Sequence, residues 1–325
     1  NNKEVNGGFV EINGEQFYKI SNYNHIKDFF ISVVSNSNHW MFISSNGSLS
    51  AGRKNRDNAL FPYYTEDKIH DYKGITGSGA YLIIKKEDKN YIWEPFSNKS
   101  NLVYSVERNI YKSFYANKII FEEINHDLEI SYRYGWYNSD KFGFVKKTEV
   151  KNISDLDKQI NILDGIKNIL PAGADYNFQN EYSNLLDAYK KSELIKESGV
   201  GLFTLSSIPV DRAEPSESLY ANTVWNVGLD NPKILISNEQ VESFIKGEEI
   251  NTEYDIRARR GAYFINTEFV LKANEDKNWM ILAEINQDSA DVSNLNQFIL
   301  ETENKQELIE QDIVNGTDKL KLIAA

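Results

Sequence analysis

From Leu128 to Trp136 the chain alternates strictly, with Leu128, Ile130, Tyr132, Tyr134 and Trp136 on one parity and Glu129, Ser131, Arg133 and Gly135 on the other. A period of two is the mark of a strand with one buried face. Tyr263, Ile265, Thr267, Phe269 and Leu271 repeat it. Weaker alternation near 80–85, 90–95, 103–111, 118–124, 143–151, 201–207, 222–227, 232–236 and 278–286 predicts further strands. Turn pairs such as Asn46-Gly47 and Asp230-Asn231 punctuate them. So many strands must pair as stacked sheets or a barrel, and the fold class expected is all-β, a large antiparallel super-sandwich.

Helical spacing interrupts the strands in three places. Tyr182, Leu185, Leu186 and Tyr189 follow i, i+3, i+4, i+7, Leu194 prolongs the stripe, and Gly199 sits where a left-handed cap belongs. This predicts a helix of about four turns inside an excursion over residues 153–200. A shorter helix is expected from Ser237, capped by its hydroxyl with Gln240 reaching back, burying Val241, Phe244 and Ile245 and ending at Gly247. At the far end, KQELIEQDIVNGTDKLKLIAA places Leu308, Ile309 and Ile313 at helical spacing and finishes on an apolar run. Together with the lack of a starting methionine, this suggests a sandwich domain over 1–300 and, from 301 to 325, a linker helix into a domain beyond the sequence.

Composition narrows the class. The chain has 325 residues, 41% hydrophobic and 26% charged, enough for a sizeable core, and its 19 tyrosines and 17 phenylalanines suit sheets. A net charge of -12 disfavours nucleic acid and anionic membrane as partners but not a neutral sugar. The absence of cysteine excludes disulfides, thiolate metal sites and a cysteine nucleophile. It leaves the compartment open; a cytoplasmic protein is the working expectation. No apolar run reaches the roughly 20 residues needed to cross a bilayer.

The densest chemistry lies in Ser45 to Asp67, SNGSLSAGRKNRDNALFPYYTED. Arg53, Asn55, Arg56 and Asn58 offer planar donors, and Tyr63 and Tyr64 offer flat faces. Sugars ask for both, since ring hydroxyls pair with Arg, Asn and Asp while the C–H face lies on an aromatic ring. These six, with Asp67 as an anchor for an arginine, are the candidate substrate-binding residues. A polar turn followed by a buried tyrosine pair is the structural alternative. Trp136 joins the candidates because YRYGWYNSDKFG gives way to a polar turn there, whereas Trp40, Trp93, Trp225 and Trp279 are expected in the core. Asp211, Arg212 and Glu214 form one more polar loop.

Signals for autonomous catalysis are weak. His25, His39, His70 and His126 have neither H-x-H nor H-E-x-x-H spacing, so no metal and no catalytic residue is assigned. The glycines at 77–79 and 199–201 are turns rather than phosphate loops, and no nucleophile elbow is present.

The stretch from Trp40 to Trp93 resembles the start of the cellobiose and chitobiose phosphorylases, the glycosyltransferase thirty-six group. The matching pieces are Arg56-Asp57-Asn58, Leu60-Phe61-Pro62-Tyr63, Tyr81 and Trp93-Glu94-Pro95, followed by TEVKNIS at 148–154, NILDGIKNILPAG, and RGAYFINTEFVLKANEDKNWMILAEI. Arg53 stands where that family more often has a small residue, and Tyr63 replaces its tryptophan. The resemblance implies a galactose-mutarotase-like super-sandwich that is the largely non-catalytic N-terminal part of a carbohydrate-active enzyme. It also implies an oligosaccharide ligand, a C-terminal (α/α) catalytic domain on the same chain, a homodimer, and inorganic phosphate as the parent enzyme's co-substrate with no other cofactor. In such a parent an acid on the absent domain protonates the glycosidic oxygen while phosphate attacks the opposite face. Two rivals stay open, a self-sufficient mutarotase or epimerase and a glycan-binding or assembly module. A histidine–glutamate pair on a concave sheet would favour the first, and an aromatic platform without acids the second.

Overall fold

A computed structural model describes residues 4–86, 89–182, 184–207 and 219–324. Strands take up 46% of the chain and helices 20%, well under the roughly one third helix of an ordinary globular protein. Every strand pairing among the described residues is antiparallel. The all-β sandwich expectation holds.

The main sheet has eleven strands. It runs in space from the hairpin Asn6–Ile12/Glu15–Ser21 through Val106–Ser113, Ile119–Asn125, Ile130–Ser139 and Gly143–Asn152. It continues through Asp276–Gln287, Ala221–Val227, Gly201–Leu205 and Lys190–Leu194 to Asp255–Arg257. Facing it are a five-stranded sheet, ordered Lys233–Leu235, Gly261–Leu271, Lys158–Ile169, Gly77–Lys86, Lys89–Trp93, and a four-stranded sheet built from Phe30–Val33, His39–Ser44, Leu49–Arg53 and Ala59–Phe61. Phe121, Tyr132, Tyr134, Trp136 and Phe144 of the main sheet pack against Leu82, Ile160, Ile162 and Ile265 of the second and Met41, Leu49 and Phe61 of the third. Each such side chain contributes about 1.5–3 kcal/mol by leaving water. One core therefore holds three sheets.

Polar stitches cross that core. Asp164, fully buried on the five-stranded sheet, accepts from Lys146 Nζ at 2.5 Å, Tyr132 OH at 2.7 Å, Thr148 Oγ1 at 2.9 Å and Trp279 Nε1 at 2.8 Å, all on the main sheet. Glu123 is served likewise by Arg108, Trp93 Nε1 and the Phe96 backbone. Because each buried charge meets opposite charge and further donors, neither is left exposed to the desolvation penalty. They fix the sheets in register.

Three expectations need correction. Trp136 is 1% exposed, set edge-on to Phe61 at 5.9 Å in the core, because its parity on the strand is the inward one. Residues 158–169 are a central strand, so the helical excursion shrinks to Tyr176–Tyr182 and Asn184–Tyr189. Lys190–Leu194 then pairs between Gly201–Leu205 and Asp255–Arg257, and Leu185 of the predicted stripe is exposed. Ser237 does not cap a helix in the expected way: Gln240 bonds to Asn251 and Glu253, and the helix is only Val241–Ile245. The C-terminal helix lies where expected, at Lys305–Ala324, and a separate helix that the sequence did not announce, Ser289–Glu301, precedes it, with Asp288 forming a capping box with Asp291.

The helix Lys305–Ala324 lies on the outer face of the main sheet, burying Ile309 and Ile313 with Phe142, Val145 and Met280, while Leu308 is 37% exposed. Asp312 accepts from Ser139 and the Lys141 backbone, and Thr317 accepts from Asn117. Among the described residues, no helix is long and apolar enough to cross a membrane.

Candidate functional site

The loop between Leu49–Arg53 and Ala59–Phe61 starts with a close approach that only glycine allows. A Cβ on Gly52 would lie 2.2 Å from the Asn58 carbonyl oxygen and 2.5 Å from the Trp40 ring. The turn then passes through Lys54 at φ 61°, and its polar side chains are absorbed one after another. Arg53 gives Nε and Nη2 to the Glu284 carboxylate at 2.8 and 2.5 Å, Nη1 to Asn38 at 3.0 Å and Nη2 to the Asp140 carbonyl at 3.2 Å. Asn55 Oδ1 accepts from the Asp57 backbone and from Asn58 Nδ2, and Asn58 Oδ1 accepts from Asn286. Asp57 accepts from the Tyr176 backbone. The loop clasps the four-stranded sheet to the main sheet and to the helical excursion.

Arg56 differs. Its guanidinium lies 4.0 Å from the centre of the Tyr176 ring, and among the described residues it has no ion pair. Tyr176 also meets Tyr63 edge-on at 5.8 Å, and Tyr63 meets Trp40 at 5.7 Å. Tyr64 stacks on Tyr72 at 3.7 Å and 15°, with its hydroxyl bonded to Thr76 and Asn168. Burial pushes the Tyr64 phenol up to about 12. Among the described residues Asp67 holds no arginine: it accepts from Thr65 at 2.6 Å, and that bond lowers its carboxyl below the usual range.

Between these tyrosines and the helical excursion opens a cleft of about 220 Å³. Tyr63, Tyr64, Tyr72 and Tyr176 form its aromatic walls, and Asn168, Gln179 and Asn180 stand among them. At one side Asp187 accepts from Lys190 at 2.7 Å and faces Arg260 at 3.4 Å. Burial holds the Lys190 ammonium below its ordinary pKa, with Asp187 opposing. Asn168 itself sits at φ 62°, where the central strand bulges between Lys167 and Ile169, a costly backbone for a residue with a side chain.

Of the eight sequence candidates, only Tyr63 and Tyr64 line this cleft; Arg56 touches it through Tyr176, Arg53, Asn55 and Asn58 are committed to the clasp, and Trp136 is in the core. Asp211, Arg212 and Glu214 lie outside the described residues. Sequence reasoning missed Tyr176, Asn168, Asp187, Lys190 and Arg260. The available signal was DYNFQN at 175–180, an aromatic and amide-rich run after a Gly-containing turn. It was hidden by the apparent stripe that follows it.

No histidine lines the cleft. His39 is buried, bonded to Ser37 at 2.7 Å, and burial with the Arg53 cation beside it lowers its pKa to about 3. His70 bonds Ser44 at 2.8 Å, and His126 faces Glu107 at 4.0 Å with half its side chain exposed. No group of three or more potential metal ligands occurs among the described residues.

No family profile and no curated protein matches the chain. Solved structures overlap it at low similarity. One, described as a kojibiose phosphorylase from the human microbiome, is 12% identical with a TM-score of 0.41 over 76% of this chain and 28% of its own. A polysaccharide lyase is 10% identical with a TM-score of 0.41, over 84% of this chain and 34% of its own. A protein described as an aldose 1-epimerase from Klebsiella pneumoniae subsp. pneumoniae is 10% identical with a TM-score of 0.35, over 93% of each chain. The chain thus spans about a third of the length of the first two. None of these likenesses identifies a family.

Proposed function

We propose that this chain is a glycan-binding super-sandwich domain, the non-catalytic N-terminal part of a carbohydrate-active enzyme of the cellobiose-phosphorylase kind. The observation that carries the reading is the tyrosine cleft. Flat rings from three separate segments converge there with amide and charged side chains, the pairing of apolar face and planar polar groups that a pyranose satisfies. The motif resemblance from Trp40 to Trp93 adds the phosphorylase, its C-terminal catalytic domain, inorganic phosphate and a homodimer to the proposal. A self-sufficient epimerase is disfavoured by chemistry, since the cleft contains no histidine and His39, with its depressed pKa, is neutral at working pH.

Calorimetric titration of residues 1–325 with neutral gluco-oligosaccharides such as cellotetraose tests the reading. Saturable binding that weakens in Tyr63→Ala and Tyr176→Ala is the expected result. No heat with any neutral oligosaccharide would remove the glycan site. Phosphorolysis of cellobiose, chitobiose or laminaribiose by the purified chain would overturn its non-catalytic role.

A further inference from the structure

Lys167 is an anomaly among the buried cations. It is 7% exposed, yet its ammonium has no carboxylate within 4.0 Å among the described residues, and its hydrogen bond goes to the Gly74 carbonyl oxygen at 2.6 Å. The fold makes room for it deliberately: its stem crosses Gly79, where a Cβ would come within 2.8 Å of Lys167 Cε. Lys146, on the facing main sheet, shows the ordinary solution, a buried carboxylate at 2.5 Å. An ammonium buried against a neutral carbonyl and the Tyr81 ring, 5.9 Å away, is costly unless an anion comes within ion-pair distance.

That something has a place. Lys167 borders a cleft of about 260 Å³ at the edge of the five-stranded sheet, together with Lys73, Ser78, Asn98, Glu94 and Phe96. Lys73, half-buried, likewise has no carboxylate within 4.0 Å among the described residues, its Nζ donating to Asn98 Oδ1 at 2.8 Å. Burial lowers the pKa of both lysines and Arg108 adds repulsion at Lys73, while Glu94 opposes the shift at both and Asp28 and Glu123 oppose it at Lys73. Glu94 faces the same space but lies beyond ion-pair distance of either. Phe96 and Tyr134 supply aromatic walls, and Phe96 is held at φ 63°, a strained backbone of the kind that gathers at ligand sites. Gly74 and Lys167 also border an open depression that continues to Asn168 and Arg260, which belong in turn to the tyrosine cleft.

We propose that the Lys73–Lys167 cleft is a carboxylate-binding subsite and that its ligand is an acidic sugar, a hexuronate whose carboxylate meets the two ammonium groups. Its ring lies against the Phe96 and Tyr134 side, and Ser78, Asn98 and Glu94 meet its hydroxyls. The anion follows from the unpaired lysines alone; the choice of a saccharide rests on the glycan reading of the adjoining groove.

The probe is sodium glucuronate, titrated into residues 1–325 by calorimetry beside glucose, acetate and sulfate. Saturable glucuronate binding is expected, at least tenfold tighter than acetate or sulfate, with none for glucose. Lys167→Met should weaken it at least tenfold while leaving cellotetraose binding unchanged. Lys73→Gln, a milder and more exposed change, should give the same direction if the first variant folds poorly. Glucuronate heats no different from glucose, or equal in wild type and both variants, overturn the subsite. Acetate or sulfate binding as tightly as glucuronate overturns the acidic sugar. Loss of cellotetraose binding alone strikes the tyrosine cleft instead, so the two readings fail separately.

Discussion

Arg53 and Arg56 stand three residues apart on one loop and live in different physical worlds. Arg53 makes four hydrogen bonds, to a carboxylate, an amide and a carbonyl on three other segments, and its side chain is 16% exposed. Arg56 rests on a single tyrosine ring at the margin of an open cleft. The difference teaches that a dense polar sequence need not be one functional unit. Arg53, Asn55 and Asn58 close the fold, while Arg56 between them and the tyrosines after them border the space where a ligand can sit.

The largest expected effect breaks the closing part. Arg53→Ala leaves the Glu284 carboxylate, whose pKa burial already raises, without its counter-charge. Removing one partner of a buried pair costs about 3–5 kcal/mol, and the residual exposure here puts the effect near the lower figure. Urea denaturation should show that loss, while the folded fraction binds cellotetraose as wild type does. A stable variant that has lost its ligand would reverse the assignment of the two arginines.

His39 probes the same part through pH. Its folded pKa of about 3 lies below the ordinary 6.5, so between those values the unfolded chain binds the extra proton. Stability therefore rises with pH across that window and is complete above it, with a slope that approaches about 1.4 kcal/mol per pH unit. His39→Gln should flatten the melting temperature against pH between 4 and 6.5 relative to wild type. Parallel curves for the two proteins would show that His39 is not held neutral by the Arg53 side of the fold.

The parts legible in sequence are those where one period decides the outcome. Ile130–Ser139 and Gly261–Leu271 were readable because alternation and burial agree. Lys158–Ile169 was not, because it is buried on both faces and Asn161, Asp164, Lys167 and Asn168 interrupt its apolar residues, so NILDGIKNIL shows no period of two. Leu194 misled in the opposite sense: it extended a helical stripe yet belongs to a strand paired with its hairpin neighbour 201–205 and with 255–257, some sixty residues away in the chain. Tyr63 and Tyr64 could be proposed from composition of the loop, but Tyr176 and Arg260 join them only through the paths of the excursion and the central sheet. Nothing local encodes that meeting.

The cleft side of the comparison is sharpened by Tyr176→Ala. It removes the ring that both Arg56 and Tyr63 contact, and stacking platforms of this kind are worth about 1–3 kcal/mol, so oligosaccharide affinity should fall roughly tenfold to a hundredfold. Thermal unfolding should move only a few degrees, because the ring borders solvent on the cleft side. A drop in melting temperature as large as that of Arg53→Ala, with affinity intact in the folded fraction, would make Tyr176 another part of the clasp.

Arg56→Ala should have the smallest effect. An exposed cation over a tyrosine contributes about 0.5–1 kcal/mol, and Arg56 has no ion pair among the described residues whose loss would add to that. The ring it covers remains, still held edge-on by Tyr63, so the cleft keeps its wall but loses a donor beside it. Affinity for a neutral oligosaccharide should drop severalfold, with the melting temperature within a degree or two of wild type. Arg56→Lys separates the two contributions, since it keeps the charge but loses the planar fork. If lysine restores affinity, the charge is what matters. If it behaves like alanine, a sugar hydroxyl reads the guanidinium directly, and Arg56 belongs to the cleft although its neighbours Asn55 and Asn58 belong to the clasp. A melting temperature lowered as far as in Arg53→Ala would place both arginines on the structural side and leave the tyrosines alone to carry the site.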